Sequence, residues 1–171
     1  MAAMRRSLIA FCGLLTAGTA AAQIDEVITA QREGYSIAGL ATRPEGATAL
    51  RYGIALFPGH PGILKLEASR GAPRYDMRGN FLVRSRRHWL DGDTLVVVLD
   101  APSDQWASFV QSFRASARYG ADVSSLRGEA SRRYGVTDWT FVGTSEGSVS
   151  AFHAARMNPQ HQDDPCGFTS Y

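Results

Sequence analysis

The chain is poor in cysteine, in clustered histidine and in long apolar runs, and each shortage excludes something. It has two cysteines in 171 residues. Cys12 lies inside an N-terminal leader, so the remainder keeps only Cys166 and no internal disulfide can form. A lone cysteine in an apolar stretch reads as a small hydrophobe. The four histidines, His60, His88, His153 and His161, show none of the spacings of a metal site. No second cysteine assists them, so neither a bound metal nor a cofactor is expected. No apolar run approaches the ~20 residues of a membrane-spanning helix. An excess of one charge is also lacking. The chain has 18 basic and 16 acidic residues, and setting aside Arg5 and Arg6 of the leader leaves 16 against 16. Basicity therefore gives no reason to expect nucleic acid. Arg84, Arg86 and Arg87 form a short basic cluster without interleaved aromatics; it reads as a solvated face or the rim of a site for an anionic substrate. There is no internal repeat, low-complexity tract or domain linker.

What is present begins with the leader. Arg5 and Arg6 form a basic start, residues 7–15 an apolar segment, and Thr19-Ala20-Ala21-Ala22 a small-residue tail before Gln23. This is the pattern of a secretory signal peptide over residues 1–22, cleaved near Ala22. A secreted or periplasmic protein is expected, its folded domain running over 23–171. An uncleaved N-terminal anchor is the plainer alternative.

Residues 24–31 and 35–41 alternate roughly and are separated by the turn Glu33-Gly34, which predicts a hairpin. Residues 52–57 are more uniformly apolar and end at Pro58-Gly59-His60-Pro61-Gly62. A continuous apolar run bounded by turn residues suits a strand buried on both faces. Asn80 is a candidate cap for a helix starting at Phe81. Residues 94–100 have an all-apolar interior and four β-branched side chains, the mark of a central parallel strand, and they end in the polar loop Asp100-Ala101-Pro102-Ser103-Asp104. Residues 121–134 form an amphipathic helix with Val123, Leu126, Ala130 and Tyr134 on one face, and Gly135 as its C-cap. A strand over 138–142 and a helix over 147–157 follow, the latter striped by Val149, Phe152 and Arg156 and stopped by Pro159. Residues 165–171 read as a last strand. Alternating apolar strands and amphipathic helices predict an α/β fold, a three-layer α/β/α sandwich with a mostly parallel sheet. Ligands in such sheets bind beyond the carboxyl ends of the strands, where His60, Asp100 and Ser145 all fall.

Between the strand at 138–142 and the next helix stands Gly143-Thr144-Ser145-Glu146-Gly147, a G-x-S-x-G pentapeptide. A serine hydroxyl is a weak nucleophile unless its position and base are supplied. A sharp strand-to-helix turn supplies position, because it lifts Oγ above the sheet edge while the glycines let strand and helix approach. It also leaves unpaired N–H groups at the helix start, where negative charge is favoured. Ser145 is thus the candidate nucleophile and the N–H of Glu146 a candidate oxyanion donor. The loop after the first buried strand is where a second donor is expected. Pro61 has no N–H, so Gly59, His60 and Gly62 remain, and His60 is preferred. The His60 imidazole itself reads as a surface or structural group.

With these residues in view, the chain resembles the α/β-hydrolase superfamily. Residues 52–62 resemble its third strand and oxyanion loop, residues 94–100 its fourth strand, residues 139–147 its fifth strand with the nucleophile turn, and residues 166–170 its sixth. The resemblance covers nearly all of residues 23–171 but only part of a family domain, which implies an incomplete α/β-hydrolase fold. It implies a hydrolase of an ester or related acyl bond, acting on a small molecule. In that family an acid and a histidine follow the nucleophile. Here His153 is eight residues on, about 12 Å along the helix axis. A compact His161–Asp163 pair is the remaining route, and polar loop solvation is its default reading. The expectation is a placed nucleophile that is weak or inactive in a truncated chain. The alternative is a non-catalytic secreted binding protein on the same scaffold, with a partner covering the open sheet edge.

Overall fold

The structure is a computed structural model and describes residues 22–47 and 49–159. The leader up to residue 21, the strand expected at 165–171, and His161, Asp163 and Cys166 lie outside the described residues. Strands β1 (Gln23–Arg32) and β2 (Tyr35–Pro44) form the expected hairpin. The turn needs a left-handed residue, and Gly34 supplies it at φ +78° without the steric cost a Cβ would bring.

Strands β3 (Tyr52–Phe57), β4 (Thr94–Leu99) and β5 (Asp138–Gly143) run parallel to one another. The sheet order is β1-β2-β4-β3-β5. Strand β2 meets β4 antiparallel, with Gly39 opposite Leu99 and Thr42 opposite Val96. The sheet is therefore mixed, two antiparallel pairings beside two parallel ones, which corrects the expectation of a mostly parallel sheet. Parallel neighbours need a crossover connection, and the two-residue turn of the hairpin provides none.

Strand β4 sits at the centre and every residue in it is buried. Leu95, Val97 and Leu99 point to one face, packing with Ile28, Ile37 and Phe57. Val96 and Val98 point to the other, with Leu40, Leu56, Leu64, Leu82 and Val83. Each of these side chains contributes about 1.5–3 kcal/mol when fully buried, so a strand with apolar side chains on both faces is stable only between two covering layers.

Helix α1 (Phe81–Ser85) covers the second face. It starts where Asn80 Oδ1 accepts the Leu82 N–H at 3.0 Å, and a tighter turn over Arg86–Trp89 continues it. The first face is covered by α3 (Ala117–Tyr134) and α4 (Glu146–Met157). Ser116 caps α3 through the Tyr119 N–H, and Gly135 ends it in the left-handed region at φ +81°. A short helix, α2 (Gln111–Arg114), precedes α3.

Two expectations about faces are corrected. Helix α4 does not bury the Val149, Phe152 and Arg156 stripe; it buries Gly147, Ser150, Ala151 and Ala154, and Phe152 is 58% exposed. The helix start lies so close to the β3 backbone that only small residues fit beneath it. The basic cluster is not wholly a solvated face. Arg86 is buried and donates to Asp25 Oδ2 at 2.7 Å, Thr42 Oγ1 at 3.1 Å and the Val83 carbonyl at 2.8 Å. Arg87 donates to the same Asp25 oxygen at 2.7 Å. Burial alone would push the Asp25 carboxyl up, but hydrogen bonds from Arg86, Arg87 and Thr42 outweigh it and hold the group below its ordinary value.

Candidate functional site

The carboxyl ends of β3, β4 and β5 bring three sequence-derived candidates to one edge of the sheet. At the end of β5 the chain turns directly into α4, and Ser145 sits on that turn, exposed, at φ 53° and ψ −128°. This conformation is open to few residues other than glycine and costs about 1–3 kcal/mol where the surrounding fold imposes it. Hydrogen bonds on both sides impose it here. Thr144 N–H donates to the Phe57 carbonyl at 3.3 Å, Gly147 N–H to the Thr144 carbonyl at 2.8 Å, and Ser148 N–H to the Ser145 carbonyl at 2.9 Å. Ser148 Oγ closes the turn on the Gly143 carbonyl at 3.1 Å.

The glycines are required by space. A Cβ on Gly143 would overlap the Gly147 carbonyl, and one on Gly147 would overlap the Phe57 carbonyl oxygen. A Cβ on Gly59 would lie 2.9 Å from the Thr144 carbonyl oxygen and 3.1 Å from Ser145 Cβ. The loop after β3 is thus pressed against the turn that carries Ser145. This places Gly59 and His60 beside the start of α4, where the orphan N–H groups of a helix favour negative charge.

His60 is highly exposed, and its Nδ1 lies 3.5 Å from Glu146 Oε2. The same carboxylate oxygen lies 3.6 Å from Arg114 Nε. Among the described residues none hydrogen-bonds Ser145 Oγ. His153 lies two turns along α4 with its ring edge-on to Phe152, centroids 5.5 Å apart, as its position on the helix implies. His88 is exposed in the turn after α1.

Asp100 also lies at the carboxyl edge, at the end of β4, but its oxygens are committed elsewhere. It is 1% exposed and accepts the N–H of Leu64 at 2.6 Å and of Leu66 at 2.9 Å. Burial pushes its carboxyl above the ordinary value, and the backbone donors only partly offset this. Its work is to fasten the loop after β3 to the end of β4.

Arg114 is the residue that sequence reasoning missed. Its side chain is 1% exposed and lies under the loop after β3. Nη2 donates to the Pro61 carbonyl at 2.8 Å and Nη1 to Ser150 Oγ at 3.3 Å. Its guanidinium carbon stacks 3.9 Å from the centre of the Phe109 ring. No local signal separates it from the other arginines, because its partners are 36 and 53 residues away in sequence.

No protein-family model matches the chain, and no curated protein matches it in sequence. Solved structures do resemble it. A cold-adapted esterase from an Arctic intertidal metagenomic library, in complex with polyethylene glycol, superposes with a TM-score of 0.54 at 12% identity. The match covers 78% of this chain and 55% of that one. Brefeldin A esterase, a bacterial homologue of human hormone-sensitive lipase, gives 0.49 at 18% identity over 86% and 38% of the two chains. The chain thus spans about half the length of the first esterase and less of the second. At such identities the likeness concerns fold alone: the described residues share the overall α/β architecture of the first esterase.

Proposed function

We propose that this chain is the nucleophile-bearing part of a serine hydrolase acting on a small ester or related acyl compound. The observation that carries the proposal is the backbone of Ser145, held at φ 53° and ψ −128° on a strand-to-helix turn with a glycine loop packed against it. Ser145 Oγ attacks the carbonyl carbon, a C–O bond forms, and the carbonyl electrons move onto oxygen. The N–H groups of Glu146 and His60 receive that oxyanion. Collapse of the adduct expels the alkoxide, which takes the proton given up by Ser145; water then hydrolyses the acyl-enzyme, releasing the acid and returning a proton to Ser145. Preorganised donors of this kind are worth about 10²–10³ in rate apiece.

The proton of Ser145 needs a base, and no described side chain reaches Oγ. Turnover by the described residues alone is expected to be weak, resting on substrate binding and the oxyanion donors. The same observation favours a second reading, a secreted non-catalytic binding protein on this scaffold. Export of either form follows from the leader and is tested by the residue at the mature N-terminus.

A serine-reactive fluorophosphonate distinguishes the two readings. Labelling mapped to the peptide containing Ser145, and lost in a folded Ser145→Ala variant, is the expected result. A monodisperse, folded wild-type protein that takes up no label would remove the hydrolase reading and leave the binding protein.

A further inference from the structure

We infer that Arg114 is a positioning residue: it clamps the loop over residues 58–62 to the first turns of α4 and so sets the spacing of the two N–H donors at Ser145. Its catalytic consequence rests on the hydrolase reading above; the clamp itself does not. Three directions of the guanidinium are used. Nη2 holds the loop through the Pro61 carbonyl, and Nη1 holds α4 through Ser150 Oγ. Nε faces Glu146 Oε2 at 3.6 Å and has no hydrogen-bond partner of its own. Glu146 and Ser150 are four residues apart on α4, so they stack on one side of the helix, and one planar group spans both.

The site is shaped for this group. Gly62 stands at φ +67°, and a Cβ there would lie 2.5 Å from Arg114 Nη2. Phe109 supports the guanidinium plane from beneath at 3.9 Å. Burial disfavours the cation, and the Tyr119 hydroxyl and the Glu146 carboxylate counter it. The pair is unevenly buried, Arg114 at 1% and Glu146 at 35%. The carboxylate therefore reaches the surface beside His60 Nδ1 while its countercharge stays inside. Glu146 lies between His60 and Arg114, and its backbone N–H is the one proposed to receive the oxyanion. A lysine would keep the charge but lacks the planar fork that addresses separate acceptors.

The experiment compares the full chain with Arg114→Lys. Arg127→Lys is the control, since Arg127 bonds the Asn158 carbonyl away from the site. Two readouts are taken on folded protein: backbone amide chemical shifts of Gly59, His60, Gly62 and Glu146, and the kinetics of fluorophosphonate labelling. Arg114→Lys should shift those amides and slow labelling at saturating probe about tenfold or more, with half-saturation changed less than about twofold. Arg127→Lys should leave both readouts unmoved even where it lowers the melting temperature. If Arg114→Lys leaves the four amides in place, the clamp is overturned, whatever the labelling does. If the amides move while wild-type protein takes no label, the clamp stands and only the hydrolase reading fails.

Discussion

Replacing Gly147 with alanine tests how tightly the nucleophile turn is built. A Cβ there would overlap the Phe57 carbonyl oxygen and lie 2.8 Å from both the Phe57 carbonyl carbon and the Pro58 carbonyl oxygen. All three are backbone atoms, two of them in β3 and one in the loop after it, so no side chain can swing aside. Contacts below 3.0 Å are essentially unknown for real Cβ atoms, so the start of α4 must move off β3 by about 1 Å. Overpacking against yielding neighbours costs about 1–3 kcal/mol, and unyielding backbone puts this substitution near 3 kcal/mol. At about 4 °C per kcal/mol for a domain of this size, the melting temperature should fall about 10 °C. The displacement also widens the gap between the turn and the loop, and misplacement by about 1 Å costs up to ~10² in rate. Gly128→Ala is the matched control. Gly128 is exposed within α3, and a Cβ there meets nothing within 4 Å. Alanine should stabilise that helix by about 0.5–1 kcal/mol. Scanning calorimetry on both variants, with phosphonate labelling of each, reads the opposite signs. A Gly147→Ala protein melting within about 2 °C of wild type would refute the close approach on which the site geometry depends.

The remaining predictions concern strain, fastening, acid stability and export. Ser145→Gly should raise stability by about 1 kcal/mol, because glycine accepts the positive φ without strain; urea denaturation that shows a loss would refute the strained turn. Asp100→Ala strands the N–H groups of Leu64 and Leu66 in a dry interior and should cost about 3 kcal/mol or more in the same assay. Asp25→Asn removes a carboxylate held below its ordinary value of 3.8 by Arg86, Arg87 and Thr42. A depressed carboxyl stabilises the fold above 3.8 and loses that contribution as pH falls through the lower folded value. The wild-type advantage over the variant, read from melts across pH, should therefore be full near neutrality and shrink at acid pH. Protein exported from a bacterial host should begin at Gln23, where β1 also begins; N-terminal sequencing that returns Met1 would refute cleavage.

Much of this protein was determined by the sequence alone, and for a local reason. The turn at Glu33-Gly34, the Asn80 cap and the Gly135 stop each depend on residues within a few positions of one another. Backbone preferences and short-range hydrogen bonds act over that distance. The all-apolar interior of residues 94–100 announced a central strand, and β4 is that strand. Tertiary structure decided what depends on distant partners. The insertion of β4 between β2 and β3 follows from which apolar faces meet, and it makes the sheet mixed. The buried side of α4 is fixed by the nearness of the β3 backbone, so small residues lie inward and Phe152 outward. Arg86 and Arg87 are committed to a carboxylate more than sixty residues away, and Arg114 to groups on a loop and a helix that only folding brings together. A charge pattern along the chain records that an arginine is present. Which acceptor it meets, and whether water is excluded there, is settled when the layers pack.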